Sequence, residues 1–312
     1  MARQRGARTQ FALAFESTYG TAPGSGYTFL PFAASGLGAE QPLLDSELLG
    51  MGRDPLAPIL DAITAGGDIT IPMDAEALGF WLKAAFGSPV TTGTDPYTHT
   101  FNSGGWSIPS MAIEVGMPDV PHYAMYAGVK LNELTWRMQR SGLLTGTARL
   151  IAQGEALDTS SNAGTPGSLT LARFGHFQGS ISRNGSALGN IVDAEITYSN
   201  NLDPVETIRA DGKIEGADEG LASLRGRITS RFADTTLLDD AIAGTPCELE
   251  FDYTAASGES FTLTAHAAYL SRPKIPIEGP GGVQVTFDWQ GALDTSPARM
   301  ATAVLVNSKS SY

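Results

Sequence analysis

The sequence has little of what marks exported, disulfide-bonded or membrane-spanning proteins. It contains one cysteine, Cys247, among 312 residues, which excludes an internal disulfide and leaves no second thiol for a zinc site. No apolar stretch is long enough to cross a membrane. The apolar run before Glu16 has five residues, too few for the apolar region of a signal peptide. We therefore expect no membrane partner and no export by that route.

Motifs of catalysis and cofactor binding are also missing. There is no G-x-S-x-G nucleophile elbow, no phosphate-binding loop and no H-E-x-x-H zinc motif. The acidic stretch 211–219 lacks the ligand spacing of a calcium loop. We predict no enzyme activity, no cofactor and no metal. The four histidines, which are far apart in sequence, are interpreted as structural: His99, His122, His176 and His266.

Glycine and proline, by contrast, are plentiful. There are 36 glycines and 18 prolines, and only 17% of the residues are charged. This composition favours many short strands joined by turns over a helix bundle. A hydrophobic content of 42% is enough for a sizeable core. The tryptophans are interpreted as core residues rather than as a sugar-binding platform: Trp81, Trp106, Trp136 and Trp289.

The net charge of −13 is unevenly distributed. The segment from Asp193 to Glu259 contains 15 acidic and 5 basic residues. Such a surface repels nucleic acid phosphates rather than binding them. The charge has two interpretations: it promotes solubility, or it forms a wall to which passing DNA does not adhere.

A unit of strand, aspartate, apolar helix and glycine occurs twice. In the first copy Asp74 is predicted to cap the helix and Gly87 to end it in a left-handed conformation. In the second copy Asp234 is the predicted cap and Gly244 the stop. The predicted buried faces are Leu78, Trp81, Leu82, Ala85 and Phe86 in the first helix, and Leu237, Leu238, Ala241 and Ile242 in the second.

Alternation of apolar and polar residues predicts several strands around these helices. Asn184–Gly185 is a strong signal for a tight hairpin. The stretch 88–120 is predicted to be loop-rich, with one strand. The predicted strands cover 68–72, 110–115, 128–138, 143–152, 191–200, 247–253, 260–270 and 283–290.

The two units match in order as well as in type. Gly67, Ile69 and Asp74 correspond to Gly226, Ile228 and Asp234 at nearly constant spacing, which predicts a duplicated β-rich domain. The first copy carries about twenty extra residues, which we place in the 88–125 region. The predicted division is an N-terminal arm (1–30), a first domain (31–156), a linker (157–170), a second domain (171–294) and a C-terminal extension (295–312).

Each helix unit follows a long connection with apolar residues that are hard to keep in contact with water. Such a connection either folds back on its own domain or docks on another subunit. The candidate contact residues are Leu48, Leu49, Met51, Leu56, Ile59 and Leu60 in the first connection, and Val205, Ile208, Ile214 and Leu221 in the second.

The order of these motifs resembles that of the tail tube (major tail) proteins of long-tailed bacteriophages. The residues concerned are ESTYGTAP at 16–23, GR at 52–53, GDIT at 67–70, the capped helix ending in FG at 86–87, and SRNGSALGNIVDAEITYSN at 182–200. The resemblance covers most of the chain as an ordering of elements. Family members usually have a single domain, whereas this chain resembles two.

The resemblance implies a mainly β fold of two tandem tube-like β-sandwich or barrel domains, each with one flanking helix. Their sheets would join into a continuous β-barrel lumen within stacked rings, which leaves no exposed edges. The long connections at 44–65 and 201–224 would reach the neighbouring ring, and the N-terminal arm would become ordered on assembly. A doubled chain favours a ring of three chains, pseudo-hexameric, over a ring of six.

The implied role is mechanical. The tube would enclose the tape-measure protein, contact the tail terminator and distal tail proteins, and conduct double-stranded DNA without binding it specifically. A lumen rich in carboxylates would suit that passage. The protein would be located in the tail of the virion and assembled in the cytoplasm of a bacterial host.

Three other functions remain open on the sequence. The first is an adhesive or decorating β-sandwich module of a phage tail or capsid that binds carbohydrate or protein. The second is a hydrolase of unrecognised type, and the third is the inner tube of a contractile tail. A module of the first kind has no need of long apolar connections in both copies.

Overall fold

The fold, taken from a computed structural model, is mainly β with two short α-helices. The structure describes residues 3–50, 52–277 and 279–312. Neither of the two helices in these ranges has the length and the apolar character needed to cross a membrane.

Among the described residues up to 158 there are thirteen strands and one α-helix. These are β1 (Gln10–Phe15), β2 (Thr28–Phe29), β3 (Ala34–Ser35), β4 (Gly38–Glu40), β5 (Leu43–Leu44), β6 (Ile59–Leu60), β7 (Thr64–Pro72), α1 (Leu78–Phe86), β8 (Val90–Gly93), β9 (Tyr97–Asn102), β10 (Met111–Met117), β11 (His122–Gln139), β12 (Thr145–Ala152) and β13 (Gly154–Asp158).

The described part of the second half has ten strands and one α-helix. These are β14 (Gly179–Arg183), β15 (Ser186–Ala187), β16 (Ile191–Ser199), β17 (Asp203–Val205), β18 (Gly216–Asp218), β19 (Ser223–Arg231), α2 (Thr236–Ala243), β20 (Cys247–Thr254), β21 (Ser260–Leu270), β22 (Gln284–Ala292) and β23 (Ala301–Asn307).

The two halves pair their strands in the same antiparallel order. In the first half β7 pairs with β12, β12 with β11, and β11 with both β10 and β13. In the second half β19 pairs with β22, β22 with β21, and β21 with both β20 and β23. The flanking strands also correspond, because β1 pairs with β10 as β14 pairs with β20. A hairpin precedes each unit, β5–β6 and β17–β18.

Strand β11 joins the halves into one sheet. Its residues 133–139 pair with β16, which in turn pairs with β19. The neighbouring strands therefore run β3/β4, β7, β12, β11, β16, β19, β22 and β21. One large buried cluster draws residues from both halves. The rings of Trp136 and Phe261 lie 5.9 Å apart, and those of Phe86 and Tyr198 lie 4.3 Å apart.

Two glycines allow equivalent close contacts between strands. A Cβ on Gly67 would lie 2.2 Å from the carbonyl oxygen of Gly36, and one on Gly226 would lie 2.1 Å from that of Glu195. No side chain fits either position, so each glycine lets its strand approach the next. The contacted residues, 36 and 195, have the same separation in sequence as the glycines themselves.

Both predicted helices are present. Each residue of the predicted buried face of α1 is buried, and Gly87 ends the helix. The predicted left-handed conformation of Gly87 is wrong, since its ψ is −173° at a φ of 94°, whereas Gly244 after α2 is left-handed. Helix α2 is less covered: Leu237 is buried, but Ile242 is exposed and does not belong to the buried face.

The strands seen in the alternation pattern are confirmed, with ends that differ by a few residues except for β11, which begins at His122. Hairpin β14–β15 turns at Asn184 and Gly185, both at positive φ. The 88–120 stretch contains more than the predicted strand, because hairpin β8–β9 lies between α1 and β10. Only three residues, 244–246, separate α2 from β20. The β8–β9 hairpin thus falls where the extra length was expected.

Both chain ends are part of the sheet. The expected N-terminal arm contains β1, whose Phe11, Ala12 and Leu13 are buried. The expected C-terminal extension contains β23, which pairs with β21 and with β9. The arm is therefore not ordered by assembly over residues 10–15. These strands were missed because their pairing partners lie far away in sequence.

The predicted linker, 157–170, is attached to the first half. The buried carboxylate of Glu114 accepts hydrogen bonds from Ser161 Oγ and from the backbone N–H groups of Asn162 and Ala163, at 2.6, 2.6 and 3.2 Å. Gly167 exchanges backbone hydrogen bonds with residues of the segment around β2. This connection is polar in composition but has a fixed path.

Candidate assembly surfaces

One side of the large sheet is polar. Alternate residues of β7, β12, β11, β16, β19 and β22 point away from the core, because strand side chains alternate between faces. We call this side the polar face. Cross-strand hydrogen bonds connect it, as between the hydroxyls of Thr135 and Thr197 and those of Thr229 and Thr286, both 3.0 Å.

The charges of the polar face are balanced. It carries five carboxylates and five arginines: Asp68, Glu133, Asp193, Glu195 and Asp288, with Arg137, Arg149, Arg225, Arg227 and Arg231. The wall rich in carboxylates that the net charge suggested is therefore not found on this face. The remaining negative charge lies elsewhere on the molecule.

Three arginines of the polar face are paired with neighbouring carboxylates. Arg137 contacts Asp193 through two nitrogens, at 2.7 and 2.8 Å. Arg149 Nε lies 3.2 Å from Asp68, and Arg227 Nη2 lies 2.9 Å from Glu195. These pairs are solvent-exposed, so each contributes little to stability, about 0–1 kcal/mol. The three carboxylates neutralise arginine charges that the polar face would otherwise present to solvent.

The first long connection projects from the fold. It consists of residues 41–63, with the short hairpin β5–β6 near its base. Leu49 is 95% exposed and Leu48 is 71% exposed. The other candidate residues that are described here, Leu56, Ile59 and Leu60, are exposed as well. Met51 lies outside the described residues. Leu43 and Leu44 extend the same apolar surface.

The second connection, 200–222, is folded against the first half. Lys130 Nζ donates to the carbonyl oxygen of Ala217 and pairs with Glu219, both at 2.8 Å. The N–H of Ile63 donates to the carbonyl oxygen of Gly212 at 2.8 Å. Of its candidate contact residues, Val205 and Ile214 are half-buried, whereas Ile208 and Leu221 are exposed.

One exposed aromatic residue was not expected. Trp106, interpreted from the sequence as a core residue, is 96% exposed in the loop before β10. That loop is held to the second connection, because the N–H of Ile108 donates to Glu219 Oε1 at 3.1 Å. Exposed tryptophans are frequent anchors of protein interfaces. The sequence did carry a signal: Trp106 follows Gly104 and Gly105 in the stretch predicted to be loop-rich, whereas the other three tryptophans lie in the predicted helix or in predicted strands.

The two aspartates predicted as helix caps both bond to backbone N–H groups. Asp74 Oδ1 accepts from Glu76 and Ala77, at 2.9 and 3.0 Å, in the turn that precedes α1. Burial raises the pKa of Asp74, and these backbone hydrogen bonds oppose that shift. Asp234 Oδ1 accepts from Thr236 at 3.0 Å and is exposed.

The ESTYGTAP motif has a structural role at the junction of three strands. The carboxylate of Glu16 accepts hydrogen bonds from Ser110 Oγ at 2.6 Å and from the N–H groups of Gly20 and Gly128 at 2.9 and 2.8 Å. It thereby connects the end of β1 with the start of β10 and the middle of β11. Sequence reasoning noted the motif without this role, because its partners are about 100 residues away.

Comparison with known proteins supplies one match. A family model described as phage tail tube protein matches residues 6–291, nearly the whole chain. A search of curated proteins found no match.

Proposed function

The chain belongs to the family of phage tail tube proteins, and we propose that it polymerises as stacked rings into the tube of a phage tail. It is a structural protein of the virion and not an enzyme. The observation that carries the proposal is the continuous succession of paired strands from β3/β4 to β21. In the proposed ring, neighbouring copies pair with its two outer edges.

Each ring contains three chains and six domains. The equal pairing order in the two halves and the equivalent contacts of Gly67 and Gly226 support two tandem domains, divided near residues 157–170. Two such domains in one chain supply two positions of a six-position ring. A ring of six chains is the alternative, which imaging distinguishes by its symmetry.

The polar face lines the lumen. Apolar side chains of the same strands are buried on the other side, so only the polar face can be in contact with a water-filled channel. Each chain supplies eight strand positions, so three chains supply about 24, more than the 16–18 strands that already leave an aqueous channel in porins. Closure also removes the open edges of the sheet.

The lumen encloses the tape-measure protein during assembly and conducts double-stranded DNA during ejection. Paired arginines support this role better than a purely acidic wall, because a cation held by a carboxylate offers less attraction to a phosphate. The wall is then nearly neutral, so DNA is neither held nor strongly repelled. The ends of the tube contact the tail terminator and distal tail proteins.

The projecting connection 41–63 makes the contact between rings. Its exposed leucines and isoleucines form an apolar surface of the kind that marks protein interfaces. Ile208 and Leu221 of the second connection, together with Trp106, add exposed apolar groups. The protein is located in the tail of the virion and is assembled in the cytoplasm of the host bacterium.

Sedimentation velocity over a range of protein concentrations, followed by negative-stain imaging, tests the proposal. We expect rings with an open centre, or tubes, and three-fold symmetry with six similar lobes in class averages. A chain that stays monomeric at high concentration and forms no rings contradicts the proposal and favours a decorating or adhesive module.

A further inference from the structure

The junction between the two halves shows how one domain of this chain joins the next. Residues 133–139 of β11 pair antiparallel with β16, with Glu133 opposite Ser199. Arg137 of β11 and Asp193 of β16 form a close ion pair across that junction. The basic group lies on the strand that leaves the first unit, and the acidic group lies on the strand that enters the second.

Each half of this junction has a counterpart at an outer edge of the sheet. The counterpart of β16 is the β3–β4 segment, since Ser35 lies opposite Ile69 as Ala194 lies opposite Ile228. The counterpart of residues 133–139 begins at Ser271, directly after β21. The N–H of Ser271 donates to the carbonyl oxygen of Asp288 at 2.8 Å, which continues the β21–β22 pairing by one residue.

Both edges present unpaired backbone groups outward. The N–H of Gly36 bonds to Asp68 on β7, at 2.8 Å. Because successive N–H groups of a strand alternate in direction, those of residues 35, 37 and 39 point away from β7. The N–H of Leu37 donates to Ser35 Oγ at 3.3 Å and its carbonyl oxygen accepts from Tyr126 Oη at 3.4 Å, so neither group is paired with a strand. Residues 271–277 are not in a strand in the single chain, but Ser271 bonds to β22, so an extended continuation of β21 directs the N–H groups of Arg272 and Lys274 outward.

We infer that the 34–40 edge of one copy pairs antiparallel with residues 271–277 of the next copy, with Ser271 opposite Glu40, Arg272 opposite Ala39 and Lys274 opposite Leu37. This register transfers the internal Glu133–Ser199 pairing to the outer edges. It rests on the proposed ring. In this register the outward N–H and C=O groups of one edge lie opposite the outward groups of the other edge. A shift by an odd number of residues destroys that arrangement, so the nearest alternative registers are shifted by two residues.

Backbone chemistry fits the same seam. The segment 271–277 has two basic residues and no acidic one, so Glu40 meets no like charge there. In this register Arg272 and Lys274 lie on the opposite side of the sheet from Glu40, because alternate residues of a strand face opposite sides, so the seam contains no counterpart of the Arg137–Asp193 pair. Pro273 lacks an N–H at a position that faces β22, so the seam loses no hydrogen bond there. Pro276 ends the run of outward N–H groups.

Disulfide cross-linking tests the register directly. In a Cys247→Ala background, Ser271→Cys with Glu40→Cys places two thiols opposite each other, and Ser271→Cys with Gly38→Cys is the matched pair shifted by two residues. Opposite Cα atoms lie within disulfide range, whereas diagonal ones about 7–8 Å apart lie at its limit. In assembled protein we expect about tenfold more cross-linked product from the first pair, as dimers and trimers that disappear on reduction.

A second pair of variants tests the backbone contribution. Lys274→Ala keeps the outward N–H group and removes the charge, whereas Lys274→Pro removes both. We expect assembly to be weakened little by the first change and at least about tenfold by the second, because a lost ladder bond exposes its partner on the next copy. Lys274 is exposed, so we expect the monomer of both variants to keep its fold.

The outcomes separate the seam from the proposed function. Rings that form while the shifted pair cross-links as well as the first pair, or while neither cross-links, overturn this register and leave the ring intact. Rings that form equally well with Lys274→Pro also overturn it. Absence of any ring or tube in the unaltered protein overturns both.

Discussion

At the scale of single residues, the fold depends on carboxylates that bond to backbone N–H groups. Glu16 and Glu114 each accept three hydrogen bonds that connect segments far apart in sequence. Asp74 does the same locally, before α1. Each carboxylate satisfies donors that would otherwise be buried without partners, which costs about 1–3 kcal/mol per group.

The two helix units allow a matched comparison of Asp74→Ala with Asp234→Ala. Asp74 is fully buried and satisfies two N–H groups, so its loss is expected to lower the free energy of unfolding by about 2–4 kcal/mol. Asp234 is exposed and satisfies one, so about 0.5–1 kcal/mol is expected. Chemical denaturation followed by circular dichroism measures both. Equal losses would show that burial does not decide the strength of these contacts.

The sequence indicated that the two aspartates bond to nearby backbone N–H groups, although the residues at the N-cap positions of the helices are Ala77 and Thr235 and not the predicted Asp74 and Asp234. It gave no indication of the two glutamates. Asp74 and Asp234 act on residues two or three positions ahead, so their role is visible in the local spacing. Glu16 and Glu114 act on residues 47 to 112 positions away at their distant contacts. Their partners there are two serine hydroxyls and backbone N–H groups that any residue other than proline could supply. Long-range contacts of this kind leave no local pattern.

At the scale of elements, the two halves of the molecule differ most in their long connections. The second is held to the first half through Lys130 and the backbone near Ile63. The first projects, with its apolar residues in water. Because the two have equivalent places in the pairing order, the first connection lacks a partner that the second finds within its own chain.

Replacing Leu48 and Leu49 together by serine tests the role of the projecting connection. Both side chains are exposed, so the free energy of unfolding is expected to change by less than about 0.5 kcal/mol. Stacking of rings is expected to weaken, because apolar surface buried between rings is lost. The measurement is tube length in negative-stain images at equal protein concentration.

Ile242→Ser is the control for that experiment, since it removes an exposed apolar side chain on α2, away from both connections. Tubes of normal length are expected from the control. Shortening by Ile242→Ser to the same extent would mean that any apolar surface supports stacking, and long tubes from the double variant would remove the connection from the ring contact.

Elements were predictable where their pattern is local. Helix α1 and hairpin β14–β15 follow from periodicity, capping and the Asn184–Gly185 turn. Strands β1 and β23 were missed because each pairs with distant strands: β23 pairs with β9 some 200 residues earlier. Strand β9 also forms a local hairpin with β8, so distance does not explain why it was missed. The apolar run at 11–15 is too short for an export signal but suits a strand, and four of its five residues are buried.

At the scale of the whole molecule, the sequence predicted the net charge but not its placement. The order of elements showed the duplication, and equal strand pairing in both halves is consistent with it. Placement of charge depends on which side of each strand faces solvent and on which strands become neighbours. The arginines of β19 and the two carboxylates of β16, Asp193 and Glu195, are neighbours only through pairing, and this pairing makes the polar face nearly neutral.

The proposed passage of DNA depends on that neutrality, and Asp193→Asn tests it. The change removes the partner of Arg137 and adds one unpaired cation per chain to the polar face, repeated in every ring. We expect assembled tubes of the variant to retain more double-stranded DNA at low salt, and the difference to disappear as salt increases, because released counterions drive such binding. The ion pair is exposed, so the free energy of unfolding is expected to fall by less than about 1 kcal/mol. The measurement is co-sedimentation of labelled DNA with tubes at two salt concentrations.

Asp234→Asn is the control, since it changes the net charge equally and lies outside the polar face. Equal retention by both variants would mean that net charge, and not the wall formed by this face, governs contact with DNA.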